Sequence, residues 1–334
     1  MVFIDRLIES VIEKRNPSVI GLDTRIEFVP DSIRRACAEE FGANGQVEAV
    51  AKAEANAAAA AAAAAAAVAK AEAEALYRFN RVIIDSVKDI VPAVKPQIAF
   101  YEIYGSYGAE AFIKTAKYAR DNGLMVIADC KRNDIGSTAD AYAEAFLGSG
   151  EGAYFADALT VNPYLGIDGI EPFMRKCREN GKGIFALVKT SNASSGQLQD
   201  MELANGKKVY EHVAGLVSEW ASGGGLAGSY GYSSVCAVVG ATYPEQMKGL
   251  RDKYKKLYFL VPGYGAQGGG AQDAAAAFDS SGLGAVVNAS RSVLCAWSHE
   301  RWGGKYSHED FGDAARAEAL RMKADINLAI GATG

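Results

Sequence analysis

Hydrophobic residues along the chain gather into eight short aliphatic runs, separated mostly by segments of helical periodicity. The runs are SVIGLD (18–23), VPAVKPQIAF (91–100), LMVIADC (124–130), DALTV (157–161), GIFALVKTS (183–191), SSVCAVVG (233–240), KLYFLVPG (256–263) and GAVVNAS (284–290). Near-continuous apolar runs, rather than alternating ones, predict parallel strands covered on both faces. Between them, GAEAFIKTAKYARDNG, GIEPFMRKCRENG, KVYEHVAGLVSEWA and YPEQMKGLRDKY predict helices. Eight such β/α units predict an α/β fold, the (β/α)8 TIM barrel. The competing arrangement is an open doubly wound sheet, which lacks support because no convincing G-x-G-x-x-G follows the first strand. The leading segment predicts an amphipathic helix and lacks the continuous apolar core of a signal peptide.

An unbroken alanine tract at 57–67 enlarges the first connection. Alanine has the best intrinsic helix propensity, so the tract predicts helix, and it carries no chemical groups. The expected organisation is one barrel domain over 1–334, with an alanine-rich helical insertion at 40–76 between strands 1 and 2. A C-terminal helical extension is expected over 298–334.

A chain of 334 residues, 49% hydrophobic, can bury a large core. Its net charge of -5 and pI near 5.4 argue against a general nucleic-acid binder, while leaving room for a local cationic pocket for phosphate. Five scattered cysteines, Cys37, Cys130, Cys177, Cys236 and Cys295, fit reduced thiols in a cytoplasmic protein. His212, His299 and His308 lack metal-ligand spacing, so no metal site is predicted. The one long uncharged stretch is alanine, so no membrane span is expected.

Candidate chemistry concentrates in MVIADCKRNDIGST, 125–138, where an Asp-x-Lys-x-x-Asp triplet ends an apolar run. Strand side chains alternate faces, so Asp129 and Lys131 project together, with Asp134 in or near the following loop. A lysine held beside carboxylates is an electrostatic device, because each charge controls the other's protonation. Asp23, Lys95, Ser191, Gln267 and Arg291 also fall at or just beyond predicted strand ends, the face on which such barrels carry their sites. PGYGAQGGGAQ, 262–272, follows the seventh strand, and glycines there let backbone N–H groups approach an anion. Arg291 follows the eighth strand at an expected helix start and adds a cationic fork, which together predict a phosphate site. The other glycine-rich stretch, 222–234, lies on the opposite face and predicts a flexible connection.

DCKRNDIGST, with GLD, VKPQIAFYE, KTSN, PGYGAQGG and NASR, resembles the orotidine 5'-phosphate decarboxylase family in its longer bacterial form, over residues 3–297. The resemblance implies conversion of orotidine monophosphate to uridine monophosphate and CO2 in pyrimidine biosynthesis, with no metal or organic cofactor. It further implies that Lys131 is the proton donor, that Asp129 holds it, and that Lys95 bridges Asp129 and the ribose, which Asp23 also binds. Ser191 would meet the pyrimidine edge, Gln267 and Arg291 the phosphate, and Ile135 and Pro262 would join the substrate-binding set. Asp134 and Thr138 would act across a homodimer interface. Two alternatives stay open: a magnesium-dependent sugar-phosphate decarboxylase or aldolase of the same superfamily, and a catalytically silent nucleotide-binding barrel. KPQIAFYE and the Gln267 loop weigh against the first, and the intact Lys131, Asp129 and Asp134 against the second. An alanine-rich structural helix protein is weaker still, because it leaves eight strands unexplained.

Overall fold

The eight aliphatic runs form eight parallel strands that pair in chain order and close into a barrel: β1 Ser18–Leu22, β2 Ala93–Pro96, β3 Met125–Arg132, β4 Ala158–Val161, β5 Gly183–Lys189, β6 Val235–Val239, β7 Phe259–Val261 and β8 Ala285–Ala289. The final pairing, Val19 of β1 against Asn288 of β8, seals the cylinder. The structure, a computed structural model, describes residues 1–43, 58–150, 153–223, 225–265 and 269–331.

A ring of helices covers the outer faces of the strands, which explains their lack of polar alternation. Two apolar layers result. The larger lies between sheet and helices, and the smaller fills the barrel interior with Val19, Ala93, Ile127, Ala158, Phe185 and Val286. The predicted N-terminal helix, Phe3–Lys14, joins that interior layer through Phe3, Ile4, Leu7 and Ile8. Phe3 meets Phe185 edge-on at 6.0 Å between ring centroids. Gly183 makes this possible, since a Cβ there would lie 2.2 Å from the Phe3 ring. The glycine-rich connection at 222–234 is anchored here, where Ser229 N–H donates to both Asp5 oxygens at 2.9 and 3.0 Å.

Strand ends differ from the sequence expectation where the chain leaves the sheet. The second strand stops at Pro96 rather than 100, because the next residues coil into the helical turn Ala99–Glu102. That turn buries Tyr101, whose hydroxyl accepts from Asn80 Nδ2 at 2.8 Å. Asn80 lies on the helix Ala58–Val87, which contains most of the alanine tract. None of residues 61–70 is buried, whereas Leu76, Phe79, Ile83 and Ile84 are wholly buried and hold the helix to the barrel.

The segment 298–334, expected as an extension, supplies the helix Phe311–Ala329 to the ring. Phe311 stacks on Phe79 at 4.5 Å, so this helix closes the outer layer between the last β/α unit and the first. Among the described residues, no helix is long and apolar enough to cross a membrane.

Candidate active site

A cavity of about 620 Å³ opens at the C-terminal ends of the strands. Asp23 beyond β1, Lys95 on β2, Asp129 and Lys131 on β3, Ser191 beyond β5, Pro262 beyond β7 and Arg291 beyond β8 all line it. Their convergence follows from the parallel order, which delivers every strand's C-terminal end to one rim.

The centre is a chain of alternating charge. Lys131 Nζ donates to Asp129 Oδ1 at 2.6 Å, and Lys95 Nζ donates to Asp129 Oδ2 at 2.6 Å. Asp23 Oδ1 lies 3.8 Å from Lys95 Nζ on the other side. Burial alone would push the Asp129 carboxyl up, but the two ammonium groups outweigh it and hold the carboxyl well below the usual range. For Lys95, burial opposes the charge, yet Asp129 and Asp23 together keep its pKa above the ordinary value. A fixed anion thus sits between two cations, with Asp129 and Lys95 buried in the wall and Lys131 open to the cavity.

Lys131 has φ of 49°, the left-handed region that costs a β-carbon-bearing residue about 1–3 kcal/mol. Thr160 on β4 holds this turn, because its Oγ1 accepts the N–H groups of Cys130 and Lys131, each at 3.0 Å. The same hydroxyl donates to Asp129 Oδ1 at 3.0 Å. Sequence reasoning missed Thr160 and also Asn288, another cavity residue. Both are polar residues inside apolar strand runs, which was the available signal. Buried Asn288 Oδ1 and Asp23 Oδ1 have no hydrogen-bond partner among the described residues, leaving acceptors for hydroxyl or amide donors.

At the rim, Arg25 and Phe28 join Arg291 in the lining, with the Arg25 guanidinium 4.8 Å from the Phe28 ring centroid. The C-terminal segment supports this wall, since His308 Nε2 lies 3.0 Å from Phe28 O and its ring stacks on Trp297. Arg291 does begin a helix, but Arg291–Leu294 is a single turn. Its anion-binding capacity therefore rests on the guanidinium rather than on a long helix dipole. Gln267 lies outside the described residues.

Asp134, Ile135 and Thr138 are not in the cavity lining. Asp134 Oδ1 accepts the Ile135 N–H at 2.8 Å, and Thr138 is exposed in the first turn of the helix Gly136–Leu147.

Fold and site together define a (β/α)8 barrel whose third strand carries Asp129 and Lys131 into the cavity, with Asp134 beyond the strand end. Residues 78–301 match the orotidine 5'-phosphate decarboxylase / HUMPS family, and the chain belongs to that family. It is 40% identical to the orotidine 5'-phosphate decarboxylase of Rhodopirellula baltica, covering 98% of this chain and 99% of that one. The enzyme of the same name from Caldicellulosiruptor bescii is 39% identical, covering 98% and 99% respectively. The structure of Leishmania donovani OMP decarboxylase superposes with a TM-score of 0.68 at 27% identity over 100% of both chains.

Proposed function

We propose that this chain decarboxylates orotidine 5'-monophosphate to uridine 5'-monophosphate. The observation that carries the reading is the Lys95–Asp129–Lys131 charge chain inside a cavity with a guanidinium rim. Full-length relatives named for this reaction support it over a magnesium-dependent sugar-phosphate enzyme or a silent barrel.

In the reaction the bond between pyrimidine C6 and the carboxylate breaks, CO2 leaves, and the electron pair stays on C6. No adjacent carbonyl delocalises that pair well, so fixed charge must stabilise it. Lys131 stabilises the developing carbanion and transfers a proton from Nζ to C6. Asp129 fixes the Lys131 ammonium, and Lys95 holds Asp129 from the far side. Asp23 and Lys95 take ribose hydroxyls, Ser191 takes the pyrimidine edge, and Arg291 with Gln267 takes the phosphate. Pro262 completes the substrate-binding set within the chain, and Ile135, outside its own chain's cavity, joins it beside Asp134 from the partner's side. No metal or organic cofactor takes part.

The working unit is a homodimer in the cytoplasm, with Asp134 and Thr138 of each chain reaching the partner's site. An exposed apolar patch beside Asp134 supports this arrangement: Ile135 is 55%, Tyr164 77%, Leu165 45% and Ile167 44% exposed. Such a cluster at the rim fits a contact surface for a second copy. Five free, buried cysteines support a reducing compartment.

Following orotidine monophosphate absorbance in the presence of a metal chelator tests the reading. Turnover is expected to persist with chelator and to vanish in Lys131→Ala while the fold survives. Chelator-sensitive turnover, or near-normal turnover in a folded Lys131→Ala protein, overturns the mechanism.

A further inference from the structure

Lys189 is a wholly buried lysine that the reaction does not use. It ends β5, two residues before Ser191. Regular alternation after Leu187, a cavity residue, would send Lys189 into the barrel as well. The pairing of β5 with β6 instead slips between Leu187 and Lys189, so that Leu187 faces Val238 and Lys189 faces Val239. Two residues of β5 are thereby spent against one step of β6, a bulge that re-aims side chains. Lys189 turns outward among the ring helices, and Ser191 enters the cavity wall.

Outside the barrel, Lys189 Nζ donates to both oxygens of Asp200 at 2.9 Å. It also lies 4.4 Å from the Tyr243 ring centroid and 5.6 Å from that of Tyr210. Asp200 closes the segment that begins at Lys189, and its carboxylate also accepts from Gln246 Nε2 at 3.3 Å. Gln199, its neighbour, clamps the same segment from within. Its Oε1 accepts the Thr190 N–H at 3.0 Å, and its Nε2 donates to Thr190 Oγ1 at 2.8 Å.

Ser191 is fixed on its remaining side by β6. Gly240 N–H donates to Lys189 O at 2.8 Å, and Thr242 Oγ1 donates to Ser191 O at 3.2 Å. A Cβ on Gly240 would lie 2.9 Å from Ser191 Cα and Cβ, so only glycine lets Ser191 sit there. The backbone of Ser191 is therefore held by an ion pair on one flank and by β6 on the other.

We infer that Lys189 and Asp200 are positioning residues for substrate recognition, an ion-pair anchor that sets Ser191 against the substrate base. A buried ammonium needs its carboxylate, so the segment cannot relax away from Asp200 without leaving that charge unpaired. This converts a surface loop into a fixed part of the site. The inference rests on the proposed reaction and adds residues to it.

A double-mutant cycle tests it, with kcat and KM for orotidine monophosphate measured in wild type, Lys189→Met, Ser191→Ala and the pair. Methionine keeps the apolar stem among the tyrosines and removes the charge. Each single variant is expected to lose about tenfold in kcat/KM, the size of one hydrogen bond. In the Ser191→Ala background, Lys189→Met should cost less than about threefold, because residues acting through one contact are non-additive. Asp200→Asn, run through the same cycle, covers the case in which Lys189→Met does not fold. Additive losses, or full activity in folded Lys189→Met or Asp200→Asn proteins, overturn the inference. So does a Ser191→Ala enzyme with unchanged kinetics. A wild-type protein that does not turn over the substrate instead overturns the proposed reaction, which separates the two failures.

Discussion

Thr160 hydrogen-bonds Asp129 across the β3–β4 seam, its hydroxyl donating to Oδ1 at 3.0 Å while it accepts two backbone N–H groups from the turn that carries Lys131. One hydroxyl thus fixes both the carboxylate and the strained backbone of the proposed proton donor. Valine has nearly the same shape without the hydroxyl, so Thr160→Val would leave two N–H groups unpaired and remove a bond to a charged group. A hydrogen bond to a charged group is worth about 1.5–3 kcal/mol, which predicts a ten- to hundredfold loss in kcat. Thr160→Ser should restore most of it. Steady-state kinetics decide the matter, and a Thr160→Val enzyme with wild-type kcat would remove Thr160 from the site's machinery.

Asp129 also predicts a pH signature. Its carboxyl titrates lower in the folded protein than in the unfolded chain, because Lys95 and Lys131 outweigh the opposing effect of burial. The unfolded chain therefore binds more protons near this group as the pH falls. The stabilisation is complete above the unfolded value of about 4 and is lost as the pH falls toward the lower folded value. Removing one member of a buried ion pair costs about 3–5 kcal/mol, so Asp129→Asn should be less stable by that order at pH 7. The gap from wild type should narrow between pH 4 and pH 2. Urea unfolding of both proteins across that range measures it, and a gap that stays constant would falsify the assignment.

Asp129 and Thr160 mark where the sequence sufficed and where it did not. The strands were legible because parallel strands are covered on both sides and so read as aliphatic runs. Asp129 and Lys131 were legible as charged residues closing an aliphatic run, although β3 breaks regular alternation there, with a register slip between Ala128 and Arg132 and Lys131 at φ 49°. Thr160 was visible only as a polar residue within DALTV; its partners lie about thirty residues away, and register across β3 and β4 is a tertiary property. Lys189 was hidden by the β5 bulge, which reverses the face that alternation assigns. The terminal helix read as an extension because sequence does not disclose that Phe311 stacks on Phe79. Asp134 and Thr138 lie outside the cavity of their own chain, so their proposed role depends on a second copy.

Arg291 predicts a split between substrates. Its guanidinium is exposed at the rim and makes no ion pair with Asp129, so Arg291→Ala should weaken phosphate-dependent binding and leave the chemistry at C6 able to proceed. Loss of a charge-assisted contact predicts about a ten- to hundredfold fall in kcat/KM for the phosphorylated substrate. Orotidine, which lacks the phosphate, should show a much smaller fall. Equal losses for both compounds would place Arg291 outside phosphate recognition.

Assembly gives the most demanding test, because it depends on residues that do not line the cavity of their own chain. If Asp134 completes the partner's site, Lys131→Ala and Asp134→Ala homodimers are both inactive, each for a different missing group. A hybrid dimer has one site lacking both groups and one site lacking neither. Random exchange makes about half of all dimers hybrid, so about a quarter of all sites become intact. Activity should rise toward that fraction on mixing under conditions that allow exchange. Differential tags report whether hybrids form, and hybrids that gain no activity over the separate variants would show that each site is built from one chain.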